Sequence, residues 1–147
     1  MAEEATERIT VTATPERCFE VADDIERYPE WFAEIKEVTV HERDPEGRPS
    51  LVSFRAAAFG RSTSYTLAYD LREAPRVLGW RLTKGDITTR LDGRYEFEPT
   101  GDGRTEVTYH LEVEFRVPLP GFIKMRAQSR IMTAALRELK ARVESSA

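Results

Sequence analysis

The sequence predicts an α+β fold: a seven-stranded curved antiparallel sheet wrapped around a long C-terminal helix, with two short helices between strands 1 and 2. Three observations carry this. Apolar and polar residues alternate in seven separate stretches, the period of a half-buried strand. Short turn-forming runs separate successive stretches, which suits an antiparallel meander better than crossover connections. From Phe122 to Val143 apolar residues return every three or four positions, the period of an amphipathic helix.

The elements follow in order. Ile9, Val11 and Ala13 alternate with Thr10 and Thr12 as the first strand. Thr14-Pro15-Glu16 then opens a helix. The threonine can cap free N–H groups, and proline suits the first helical position because its missing N–H would be unpaired there. Asp23 and Asp24 end that helix, and a second short one over about Ile25 to Phe32 carries Tyr28, Pro29, Trp31 and Phe32.

The second strand alternates Val38 and Val40, and Asp44-Pro45-Glu46-Gly47 turns the chain. The third alternates Val52, Phe54, Ala56 and Ala58, with a tight reversal at Phe59-Gly60-Arg61. Tyr65, Leu67, Tyr69 and Leu71 mark the fourth, and Leu78, Trp80 and Leu82 the fifth. Lys84-Gly85-Asp86 leads into the sixth, which alternates Leu91, Gly93, Tyr95 and Phe97. After the Pro99–Gly103 turn, Val107, Tyr109, Leu111, Val113 and Phe115 form the seventh. Each strand has one apolar face, and that face needs a cover.

The cover is the last segment. Following Pro118 and Pro120-Gly121, the residues Phe122, Met125, Ser129, Met132, Leu136, Leu139 and Val143 fall on one face of a helix of about six turns. Lys124, Gln128, Arg137, Lys140 and Arg142 fall off that face. At about 1.5–3 kcal/mol for each large apolar side chain buried, docking contributes on the order of 10 kcal/mol.

Composition bounds the function. A chain of 147 residues suits one domain over residues 1–147, and 40% hydrophobic with 33% charged residues suits a folded, water-soluble chain. Net charge is −4 with no basic stripe, which argues against a nucleic-acid surface. Cys18 is the only cysteine, so no internal disulfide forms, and its apolar helical setting reads as core. The acidic start Met1-Ala2-Glu3-Glu4 lacks the basic and apolar runs of a signal peptide, and no apolar run approaches the roughly 20 residues that span a bilayer. The expectation is a cytoplasmic protein without stable membrane insertion, monomeric or weakly dimeric.

The element order resembles the helix-grip fold of the START-like (SRPBCC) superfamily, and most of all its polyketide cyclase/dehydrase and lipid-transport group, which includes coenzyme Q-binding proteins. The likeness rests on Pro15-Glu16 with Val21-Ala22-Asp23, and on Arg27-Tyr28-Pro29-Glu30-Trp31. It also rests on Gly93-Arg94-Tyr95-Glu96-Phe97 with Gly103 and Thr105, and on Pro118-Leu119-Pro120-Gly121 before the last helix. The residues alone leave a solid core and a hollow one equally open. The resemblance implies a ligand cavity between sheet and helix, of a few hundred cubic ångströms by the usual scale of such sites.

The inward parity then proposes a ligand-binding set of Phe54, Tyr65, Leu67, Tyr69, Trp80, Leu82, Leu91, Tyr95, Phe97, Tyr109 and Leu111. Phe122, Met125, Ser129 and Met132 complete it from the helix. Aromatic walls with a few hydroxyls suit a hydrophobic small molecule such as a lipid, a quinone or a polyketide. No inward acid, base or nucleophile stands out, and His41 and His110 read as solvated strand residues. Neither a metal site nor a cofactor is expected. Binding or transport is therefore the leading function. The alternative implied by the resemblance is a polyketide aromatase/cyclase or dehydrase, with Tyr65, Tyr69, Arg55 and Arg126 as weak catalytic candidates. Arg55 would qualify only if a β-bulge turned it inward. A third reading, a protein-partner module, needs Tyr28, Trp31 and Phe32 exposed; the favoured reading has Trp31 and Phe32 closing one end of the core.

Overall fold

The computed structural model describes residues 4–58, 60–117 and 119–145. The reversal expected at Phe59, the Pro118 entry to the last helix, and the Met1–Glu3 start lie outside or partly outside the described residues. Strands β1 (Ala5–Val11), β2 (Ile35–Arg43), β3 (Pro49–Ala58), β4 (Arg61–Asp70), β5 (Val77–Gly85), β6 (Thr88–Pro99) and β7 (Thr105–Phe115) make one antiparallel sheet. Its order is β1-β7-β6-β5-β4-β3-β2, so β1 and β2 hold opposite edges. Helix α1 (Pro15–Asp23), a 3₁₀ turn (Ile25–Arg27) and α2 (Tyr28–Trp31) carry the chain across between those edges. The long α3 (Gly121–Ser145) follows β7.

Local chemistry explains these boundaries. Thr14 caps α1, its hydroxyl accepting from the Arg17 N–H at 3.2 Å, with Pro15 behind it. At the β2–β3 turn the Asp44 carboxylate accepts the Glu46 and Arg48 N–H groups at 3.0 and 2.8 Å. Register shifts interrupt β2 near Ile35 and Val40 and the β4–β5 pairing at Thr66. The extra residue near Ile35 is on β2, opposite the Ala56–Arg55 step, so β3 itself stays regular and Arg55 keeps its outward parity.

Cys18 is buried in the core, as its helical setting implies. One cluster around Phe97, Leu111, Met132 and Leu139 packs α1 and α3 on β1, β6 and β7. A second, around Ile25, Tyr28, Val52, Phe54 and Leu67, gathers the other end of the sheet. Trp31, Phe32, Tyr69, Trp80 and Leu91 border both clusters and stay only part-buried.

The last helix departs from the expected stripe. Met132, Leu136, Leu139 and Val143 are buried, together with Ala135 and Gln128. Phe122 and Met125 are 67% and 66% exposed, however, and Ser129 is exposed too. Seven residues are two turns less about 20°, so Met125 shares the face of Met132. That face has simply run past its packing partners. Gln128, expected off the buried face, is buried because its side-chain amide donates to the Leu111 carbonyl oxygen at 2.6 Å.

Candidate functional site

Of the residues that border both core clusters, Phe32, Tyr69, Trp80 and Leu91 each turn one side to a void. That void is a cavity of about 560 Å³ between the concave sheet and the first half of α3. Its inner wall is a run of rings. Tyr95 and Tyr109 lie 4.7 Å apart, and Trp80 touches both at 5.3 and 5.7 Å. Tyr69 reaches Trp80 at 6.2 Å, and across the sheet Tyr65 stacks on Phe54 at 5.4 Å. Leu67, Leu91, Val113 and Ile131 fill the spaces between.

Trp80 holds its place through a glycine. It pairs with Gly93 across β5 and β6, and a Cβ there would come within 2.8 Å of the indole Cζ2 and 2.5 Å of the His110 carbonyl oxygen. Gly93→Ala is therefore expected to destabilise the fold by about 1–3 kcal/mol, the range for forcing atoms into packed space. It should also shift the tryptophan emission. An unchanged melting temperature with unchanged emission would show that the indole does not lie over Gly93.

The polar groups inside are phenols. Tyr28 donates its hydroxyl to the Ala22 carbonyl oxygen. Tyr65, Tyr69, Tyr95 and Tyr109 have no protein hydrogen-bond partner among the described residues, so their hydroxyls remain available to a ligand. Burial, reinforced by neighbouring phenols, pushes Tyr69 and Tyr109 well above the ordinary phenol range. Burial does the same to Tyr65 and Tyr95. They are neutral donors at any ordinary pH. Thr88 adds a buried hydroxyl without a partner.

Charge is confined to the mouth. Ala57, Gly60, Ile123, Arg126 and Arg130 are exposed lining residues, and part-buried Glu34 stands with them. Burial raises the Glu34 carboxyl, Glu138 raises it further, and Arg130 opposes the shift.

Of the residues proposed from sequence, Phe54, Tyr65, Leu67, Tyr69, Trp80, Leu91, Tyr95, Tyr109 and Arg126 line this cavity. The rest lie elsewhere. Phe97, Leu111 and Met132 belong to the packed cluster, and Leu82 packs beside Phe54 and Leu67. Phe122, Met125 and Ser129 face outward for the reason given above. Arg55 lies on the outer face, bonded to Glu37 at 2.9 Å. Phe32 lines the cavity and Tyr28 is buried, while Trp31 is part-buried against both core clusters and stacks on Phe32 at 5.6 Å, outside the cavity lining. His110 lies on the outer face yet is largely covered, with Thr6 at 2.9 Å from Nδ1 and Glu96 at 2.8 Å from Nε2.

Several lining residues were missed: Glu34, Thr88, Ile123, Ala127, Arg130 and Ile131. A signal existed for the helical ones. Ile123, Ala127 and Ile131 recur every fourth residue and make a second, shorter apolar line away from the Met132 face.

A second depression beside α1 and the β2–β3 turn is lined by Glu16, Glu20, Asp24, Arg43 and Arg48 around Asp23. Burial pushes the Asp23 carboxyl up to about 6 against the pull of Arg48. No group of three metal-ligating side chains occurs among the described residues. No described helix is long and apolar enough to cross a membrane.

A curved sheet gripping a long helix around an apolar cavity defines the START-like, helix-grip class of protein. Residues 2–144 match the family described as polyketide cyclase / dehydrase and lipid transport, and the chain belongs to that family. Among solved structures, a START superfamily protein from Mycobacterium smegmatis is similar at 26% identity and a TM-score of 0.92, over 98% of this chain and 99% of that one. The Zhui aromatase/cyclase of Streptomyces sp. R1128 is similar at 18% identity and a TM-score of 0.85, over 98% and 94%. A protein from Thermus thermophilus follows at 21% identity and 0.82, over 99% of each chain. At those identities the last two establish a shared fold. No curated protein matches the chain in sequence.

Proposed function

We propose that the protein binds a hydrophobic, ring-containing small molecule in this cavity and carries it unchanged. The observation behind this reading is the distribution of chemistry. The interior offers aromatic surface and neutral phenols, while the ionisable carboxylate and guanidinium groups stand at the mouth. Such a wall desolvates a flat apolar ligand and can donate to a carbonyl or ether oxygen, but holds no base poised to take a proton. Quinones, polyketides and lipids with a ring system fit that description.

A second reading is favoured by the unpartnered phenols. Donors clustered in a dry cavity could polarise the carbonyls of a poly-β-ketone and guide its cyclisation, and one fold neighbour is an aromatase/cyclase. The variants Tyr65→Phe, Tyr69→Phe and Tyr95→Phe separate the two, because each keeps the ring and removes one hydroxyl. For a carrier, titration with the neutral probe N-phenyl-1-naphthylamine should change little, and a carbonyl-bearing ligand should lose about 0.5–1.5 kcal/mol per donor removed. For a cyclase, aromatic product from a linear poly-β-ketone mimic should form and fall about 10²–10³-fold on removal of one donor. Turnover of that kind would replace the carrier reading. Binding of neither probe nor mimic would end both.

A further inference from the structure

Resting on the cavity as the binding site, we infer that its ligand is an amphipathic anion, with the ring system inside and an acidic group held at the mouth by Arg126 and Arg130. The two arginines are four residues apart on α3, so their side chains rise one above the other on the same side of the helix. Both line the cavity and both are exposed. Neither forms an ion pair within the described residues, although the chain holds 26 acidic against 22 basic residues. Lys124, on the same helix, is engaged by Glu114 at 2.9 Å, and Arg142 by Glu30 at 2.9 Å. The guanidinium pair at the mouth is left open.

The position of the charge selects the ligand's polarity. An ionised group driven to the bottom of the cavity would meet phenols and no counter-charge, and burying an uncompensated ion is costly. The same group left at the rim meets two planar forks of donors, which suit the oxygens of a carboxylate, sulfonate or phosphate. Glu34 is the carboxylate among the lining residues, and it interacts with Arg130 and with Glu138. Burial raises the Glu34 carboxyl above its ordinary value while Arg130 opposes the shift, and Glu138 accepts the Ala33 N–H at 2.7 Å. Two guanidinium groups against one carboxylate among the lining residues leave the mouth net positive, which favours an anion.

Two dyes of one ring skeleton test this: N-phenyl-1-naphthylamine, which is neutral, and 1-anilinonaphthalene-8-sulfonate, which adds a sulfonate. The sulfonate dye should bind the wild-type protein more tightly at low salt, and added salt should weaken it while leaving the neutral dye unaffected. The double variant Arg126→Gln/Arg130→Gln should cost the sulfonate dye roughly tenfold in affinity, as expected for losing charge-assisted bonds, and spare the neutral dye. Both positions are exposed, so the fold is not at stake, and the wild-type salt series gives an answer without any variant. Cavity binding is the part of each signal that Ala127→Trp removes. If the neutral dye binds there and the sulfonate dye binds no better, or ignores the arginines, the anionic assignment is wrong while the cavity reading stands. If neither dye binds in the cavity, the cavity reading fails and the assignment fails with it.

Discussion

Met132→Asp is expected to abolish cooperative folding. Met132 is fully buried, in the cluster that joins α3 to Phe97 and Leu111 on the sheet. Truncating such a side chain costs about 2–5 kcal/mol through lost contacts and the space left behind. The carboxylate then adds the cost of a buried charge without a partner, or of protonating it far above its ordinary pKa. Together these approach the roughly 5–15 kcal/mol that holds a typical domain folded. The companion variant Met125→Asp changes the same residue type on the same helical face, two turns nearer the N-terminus. It is 66% exposed, so its effect should stay within about 0.5 kcal/mol. Circular dichroism melts of the two variants check the pair: a sharp loss for Met132→Asp beside a native-like melt for Met125→Asp. Native-like melting of both would mean that α3 does not dock through Met132.

That contrast also marks how far the sequence was legible. Strand periodicity reports which side of a sheet a residue faces, and it assigned Tyr65, Leu67, Tyr69, Tyr95 and Tyr109 to the concave side correctly. The Thr14-Pro15 cap and the acidic turn at Asp44 are local chemistry and could be read without tertiary structure. Periodicity is silent, however, about where along an element the packing partner ends. Met125 and Met132 are equivalent to the pattern and opposite in burial. Phe97 and Tyr95 lie on one strand and are both buried, yet only Tyr95 reaches the cavity.

The mouth was hardest to foresee, because it is assembled from distant segments. Glu34 follows α2, Gly60 lies in the β3–β4 reversal, and Arg130 belongs to α3. No spacing along the chain relates them. Gln128 illustrates a different limit. Its side-chain amide meets a backbone carbonyl at Leu111, and a polar residue in a helical pattern gives no hint of such a partner.

Filling the cavity should separate binding from stability. Ala127 is part-buried on α3 and lines the void, but it belongs to neither packed cluster. A tryptophan at that position can direct its indole into space that holds no protein atoms, beside Ile123 and Ile131 on the same side of the helix. No core contact is lost. Overpacking is costly only where atoms already fill the volume, and here they do not. Ala127→Trp should therefore keep the melting temperature or raise it, by the roughly 0.5–2 kcal/mol usual for cavity filling. The same indole occupies the room a ligand needs, next to Tyr65, Trp80 and Leu91 across the void. Probe affinity should fall below detection while the fold remains intact. Thermal melts and probe titrations on the one variant measure both effects. Retained binding in a stable Ala127→Trp protein would place the probe elsewhere, with the exposed Phe122 and Met125 side chains as the first surface to examine. A large loss of stability would mean that the space beside Ala127 is already filled in solution.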